Sequence, residues 1–120
     1  MLKFRESSSS SMELEIQGLP QTLQKKGIKE KLAEICRRNN IVFMAIFGSF
    51  ARGEQKKTSD IDIAIEFDNT KEKSLLDLVH IERELTKQFD RKVDLGIFSS
   101  LSPYIIDEVR KEMHIVYDKR

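Results

Sequence analysis

With 120 residues, the chain has room for one folded domain and none for a second, separate nucleic-acid module. Hydrophobic residues make up 39% and charged residues 34%, a globular balance that excludes fibrous and disordered chains. Lys and Arg number 21 against 20 Asp and Glu, a net charge of +1, so the broad basic surplus that grips duplex DNA or a membrane surface is absent.

Further exclusions come from single features. One cysteine, Cys36, rules out an intramolecular disulfide framework and a clustered thiolate metal site. No apolar run approaches the roughly twenty residues of a membrane helix, and the opening MLKFRE is too short and too quickly polar for a secretion signal. A cytoplasmic protein is expected. Residues 1–19 read as a flexible leader, because Ser7 to Ser11 are five consecutive serines that gain little by ordering; the domain is expected over 20–120.

Pro20 suits a first helical turn, and Leu23, Ile28, Leu32, Ile35 and Cys36 recur at helical spacing opposite Lys25, Lys29, Lys31 and Arg38. Asn39 and Asn40 are fit to end that helix. Ile41 to Phe47 is apolar on both faces and reads as a strand near the middle of a sheet. Asp60 to Phe67 alternates, with Ile61, Ile63, Ile65 and Phe67 on one face and Asp60, Asp62, Ala64 and Glu66 on the other.

A helix is expected over about Ser74 to Phe89, opened by a capping-box-like Ser74/Asp77 pair. Arg91 to Phe98 alternates again, placing Asp94 opposite Val93 and Leu95. Ser102-Pro103 is a strong helix start, with Ile106, Val109 and Met113 on its apolar side, and Ile115 to Tyr117 read as a short last strand. There is no internal repeat. Helices of this length on a small mixed sheet make an α/β (α+β) fold, with the helices mainly on one face.

The chemistry lies in GSFARGEQKKTSDID, Gly48 to Asp62. A buried strand ends at Gly48-Ser49, where glycine lets a ligand approach the backbone closely and exposed amides with the serine hydroxyl can meet phosphate oxygens. Arg52, Lys56 and Lys57 are nearby cations for the rest of a triphosphate. Asp60 and Asp62, two apart on a strand, leave the same face with attachment points roughly 6 to 7 Å apart. Hard oxygen donors of this kind suit magnesium. Asp94 joins them if its strand lies beside that of Asp62, and three such carboxylates suit two cations clamping a phosphoryl group. Taken singly, each feature reads equally well as a solvated face or an ordinary turn.

Two other phosphate motifs are excluded. Gly48 and Gly53 have P-loop spacing, but Glu54 and Gln55 stand where lysine and a hydroxyl are required, and there is no GxGxxG. His80 and His114 are isolated, so a zinc site is not expected. Cys36 reads as a buried small hydrophobe, Lys25, Lys26, Lys29 and Lys31 as a solvated face, and Tyr104 and Tyr117 are given no role.

The stretch resembles the minimal nucleotidyltransferases of the DNA polymerase β superfamily, whose signature is Gly-Ser, ten residues, Asp-x-Asp. Here Gly48-Ser49, ten residues and Asp60-Ile61-Asp62 match without a gap. The family's third carboxylate corresponds to Asp94 in KVDLGIF. The resemblance implies a polymerase β-like palm fold, ATP as substrate, and two Mg²⁺ ions held by Asp60, Asp62 and Asp94, with Asp94 helping to activate the attacking hydroxyl. Gly48 and Ser49 would hold the β/γ-phosphates. Short stand-alone members resemble the antitoxin half of a toxin–antitoxin pair, in which AMP passes from ATP to a tyrosine of a HEPN ribonuclease toxin encoded by the adjacent gene. A hetero-oligomer with that partner is implied, without membrane or duplex DNA. Transfer to a small molecule or RNA end, and neutralisation by masking alone, remain open from the residues themselves.

Overall fold

The computed structural model describes residues 15–68 and 73–120. Helix α1 spans Ile28–Arg38 and strand β1 Ile41–Phe47; a single helical turn, α2, covers Ser49–Arg52. Strand β2 (Ile61–Phe67), helix α3 (Leu75–Phe89), strand β3 (Val93–Ile97), helix α4 (Pro103–Glu112) and strand β4 (His114–Asp118) complete the order. The four strands form one sheet in the order β3-β2-β1-β4. β1 runs antiparallel to both β2 and β4, whereas β2 and β3 are parallel. A parallel pair needs a long crossover, and α3 is that crossover.

Both faces of β1 are buried, as its unbroken apolar run predicts. Met44 and Ile46 join the larger core with Ile61, Ile63 and Ile65 of β2, Leu32 and Ile35 of α1, and Ile81 and Leu85 of α3. Phe43 and Ala45 face the other way, into a smaller core with Ala64, Phe98 and Val109. The mixed sheet and its main helical layer agree with the expected palm-type fold. α4 adds a partial cover on the second face, so the sheet is not open on that side.

Local chemistry explains the helix ends. Ser74 Oγ accepts from the Asp77 amide at 3.4 Å while the Asp77 carboxylate accepts from the Ser74 amide at 2.9 Å. The shorter aspartate therefore closes the capping box that glutamate usually closes. Ser102 caps α4, with Pro103 at its first position. Asn40 and Asp90 both carry positive φ where the chain leaves α1 and α3, a conformation that short polar side chains tolerate.

Two expectations for the N-terminal region are corrected. Pro20 does not open a long helix: Gln21–Leu23 make one 3₁₀ turn, and α1 starts only after Gly27, whose φ of 79° is left-handed. The leader was expected to reach residue 19, yet Ile16 and Leu19 are buried in the larger core. The Gln17 amide donates to the Val116 carbonyl at 3.0 Å, and Glu15 pairs with Arg37 and Lys119. Residues 15–19 thus dress the outer edge of β4, which an edge strand requires. The serine run Ser7–Ser11 lies outside the described residues. Among the described residues, no helix is long and apolar enough to cross a membrane.

Candidate active site

Gly48 leaves β1 with φ 74° and ψ −152°, a backbone conformation that essentially only glycine adopts. That turn swings the chain into α2, where the Ala51 and Arg52 amides donate to the Gly48 carbonyl at 3.0 and 3.1 Å. The turn also sets Gly48 against Asp62: a Cβ at Gly48 would lie 3.1 Å from Asp62 Cγ and closer still to Oδ2. Backbone and carboxylate can meet this closely only because glycine has no side chain.

Asp62 is directly paired with Asp94 in the parallel β2–β3 register, and with Phe47 across β1. Direct partners in a sheet project from the same face, so the two carboxylates are neighbours. Ala64 and Gly96 form the corresponding pair two residues further on, leaving little side-chain bulk beside them. Asp60 stands just outside β2 and is exposed, as is Asp94, while Asp62 is half-buried. Burial, then the charges of Asp94 and Asp60, push the Asp62 carboxyl above the usual carboxylate range; Arg52 opposes the rise and Glu112 adds to it.

The donor set is all hard oxygen, and its members raise one another's electrostatic cost, a cost that a divalent cation relieves. The residues therefore fit magnesium chemically. Among the described residues, no three acidic, histidine or cysteine side chains are grouped closely enough to hold a metal ion as they stand; Asp62 and Asp94 are neighbours by register, and Asp60 acts on Asp62 through its charge.

The structure brings in one residue that the sequence reading missed. Glu112, the last residue of α4, accepts from the Gly48 amide at 3.2 Å and from Arg52 Nη1 at 3.1 Å through each carboxylate oxygen. Arg52 Nε donates to Glu54 at 2.9 Å. A carboxylate at a helix C-terminus opposes the helix dipole, and that local misfit is the only signal the sequence offered.

Gly48, Arg52, Asp60, Asp62 and Asp94 are thus gathered at one end of the β1–β2–β3 strands, with Ser49 opening α2 beside them. Lys56 and Lys57 line a cavity of about 510 Å³ with Thr22, Lys25 and Phe89, and that cavity includes none of the five residues or Ser49. Phe50 is buried in the larger core, beneath the Arg91 guanidinium at 5.2 Å from its ring centroid.

Of the residues set aside, His114 and Cys36 sit in structural contacts. His114 bridges the Gly18 and Ala51 carbonyls, its ring nitrogens at 3.3 and 3.1 Å. Cys36 is fully buried, and burial first, then the Glu15 charge, pushes its thiol up to about 12, the reverse of a reactive thiolate. Tyr117 is buried and Tyr104 is 90% exposed.

A palm-type sheet that presents paired carboxylates beside a Gly-Ser turn is that of a nucleotidyltransferase. The family model described as polymerase beta, nucleotidyltransferase matches residues 30–120, and the chain belongs to that family. It is 42% identical over 85 residues to a Methanocaldococcus jannaschii protein named a putative protein adenylyltransferase, covering 71% of this chain and 89% of that one. Its fold is similar to a chain in a crystal structure of a toxin–antitoxin with AMP-PNP, at TM-score 0.63 and 24% identity over 75% of this chain and 73% of that one. It is also similar, at TM-score 0.57 and 20% identity over 76% and 70% of the two chains, to a chain of the tri-AMPylated Shewanella oneidensis HEPN toxin in complex with MNT antitoxin.

Proposed function

We propose that this protein transfers AMP from ATP to a hydroxyl of a partner HEPN toxin, encoded by the adjacent gene, and so neutralises it within a hetero-oligomer in the cytoplasm. The observation that carries this reading is the direct pairing of Asp62 with Asp94 beside the Gly48 turn. The Methanocaldococcus jannaschii relative is named a putative protein adenylyltransferase, and a tyrosine is the expected acceptor.

In this reading the Gly48 amide, Ser49 and Arg52 receive the β- and γ-phosphates. Asp60, Asp62 and Asp94 would hold two Mg²⁺ ions, which supply positive charge to the phosphates and acidify the acceptor hydroxyl. The acceptor oxygen bonds to the α-phosphorus, the bond from that phosphorus to the bridging oxygen breaks, and pyrophosphate leaves. In the same reading Asp94, which is exposed, takes the hydroxyl proton. The exposure of Asp60 and Asp94 suits a macromolecular acceptor that closes the site from outside.

The test is label transfer from ATP carrying its label at the α-phosphate, with Mg²⁺, in the presence and absence of the adjacent gene's product. Label on that product, lost on Asp60→Asn/Asp62→Asn substitution, is the expected result. An unlabelled partner in a demonstrated complex with saturating MgATP would overturn the reading.

Glu112 now occupies the donors assigned to phosphate, so the triphosphate must displace it. Glu112→Gln keeps an acceptor for Gly48 and Arg52 but removes the competing charge. It is expected to tighten ATP binding about two- to fivefold, as befits a part-exposed ion pair, when measured by calorimetric titration. Unchanged or weaker binding would show that Glu112 does not compete for this seat.

A further inference from the structure

Asp62 and Asp94 are fixed by strand register, but Asp60 is not. It lies one residue before β2, at the end of a run-in whose internal backbone ties are few. Within it, the Lys56 amide donates to Ser59 Oγ at 2.8 Å and the Ser59 amide to the Lys56 carbonyl at 3.0 Å. Among the described residues, Arg91 anchors it from outside. Its Nη1 donates to the Lys57 carbonyl at 2.8 Å and the Ser59 carbonyl at 3.0 Å, with the Lys56 carbonyl further out at 3.4 Å. The guanidinium is seated 5.2 Å over the buried Phe50 ring, a cation–π distance. Phe50 belongs to α2, the turn that follows Gly48.

Arg91 also stands at the entrance to β3. Its neighbour Lys92 offers the carbonyl that accepts the Ile61 amide at 2.9 Å, and Asp94 follows two residues later. One side chain therefore ties the start of β3 to the run-in of β2 and to α2, the three segments that carry Asp94, Asp60 and the phosphate turn. All three contacts are made by Nη1 while Cζ lies over Phe50; the ammonium of lysine, one bond shorter, ends near the position of Cζ and does not reach the carbonyls from that seat.

We propose that Arg91 is a positioning residue that holds Asp60 in place against Asp62 and Asp94 for cation binding. It touches no reacting atom and acts through the carbonyls of residues 56–59. The inference rests on the reading of Asp60 as a cation-holding carboxylate, so its test is built on cation binding and needs no acceptor protein.

The experiment follows Mn²⁺ binding to the full chain by electron paramagnetic resonance, with a non-hydrolysable ATP analogue present. Arg91→Lys keeps a charge near Phe50 but ends one bond short of the Nη1 position that meets the carbonyls; Arg91→Met is the second variant. Both are expected to weaken Mn²⁺ binding about tenfold, the lower end of the range for a group that orients a ligand. Amides 56–59 should exchange faster with deuterium, with those of β1 unchanged. In an Asp60→Asn background, Arg91→Lys should produce no further loss, because Arg91 acts through Asp60. An equal further loss in that background, or unchanged Mn²⁺ affinity in Arg91→Lys where Asp60→Asn weakens it, would overturn this proposal alone. Unchanged affinity in Asp60→Asn would overturn the cation reading of Asp60 together with it.

Discussion

Asp62→Asn is expected to cut nucleotidyl transfer at least a hundredfold and, in cation-free buffer, to raise the melting temperature by a few degrees. The two effects have one cause. Asp62 is half-buried and directly paired with Asp94, so its negative charge is desolvated and repelled, and its carboxyl titrates above the ordinary carboxylate range. A carboxyl whose folded pKa is raised makes the folded state bind its proton more readily than the unfolded state does. Its favourable contribution is present below the ordinary carboxylate range and is lost as pH rises through the raised value. At neutral pH the cation-free fold carries that cost, and asparagine removes it without changing shape. Orienting groups around metal ligands typically contribute ten- to a hundredfold, so loss of a proposed ligand should exceed that. The check is a pair of melting series between acid and neutral pH, in chelator and in Mg²⁺, beside a transfer assay. A melting temperature lowered in chelator would contradict the electrostatic account, and full activity would remove Asp62 from the chemistry.

What the sequence made legible follows the range of the interactions concerned. Gly48, Ser49, Asp60 and Asp62 lie in one short stretch, and the alternation of β2 sets Asp62 opposite its isoleucines; Asp60, expected on the same strand face, stands one residue before the strand begins. Asp94 was legible only conditionally, because its direct pairing with Asp62 is a property of strand order, and strand order is set by the α3 crossover rather than by local pattern. Glu112 carried only the signal of a carboxylate at a helix C-terminus, because its contact with Gly48 spans 64 residues. Lys56 and Lys57 are close in sequence to the phosphate turn, but Arg91 holds their carbonyls and they line the cavity near Phe89. Ile16 and Leu19 went unread because two apolar residues after a polar run carry no period; the edge of β4 and the larger core give them their place. The helical spacing of Leu23 and Ile28 was accidental, for Gly27 interrupts it at positive φ.

Replacing Gly48 by alanine is expected to have the largest combined effect on stability and activity, and a paired substitution at Gly53 separates its causes. Both glycines have positive φ, 74° and 73°. At Gly53 an added Cβ meets nothing within 4 Å, so Gly53→Ala bears only the left-handed backbone cost, about 1 kcal/mol. At Gly48 the Cβ runs into the Asp62 carboxylate, in a backbone region that alanine enters still less readily, for about 2 kcal/mol or more. For a chain of this size that is a fall of roughly 10 °C in melting temperature. The displaced Asp62 also leaves its pairing with Asp94, and the Gly48 amide turns from its acceptor, so ATP binding and transfer should be lost together. Combining Gly48→Ala with Asp62→Ala relieves the steric part and should recover a portion of the stability but none of the activity, a coupling that a double-mutant cycle reads directly. Equal melting temperatures for Gly48→Ala and Gly53→Ala, with no coupling to Asp62, would mean that the close approach of turn and carboxylate is not what fixes this site.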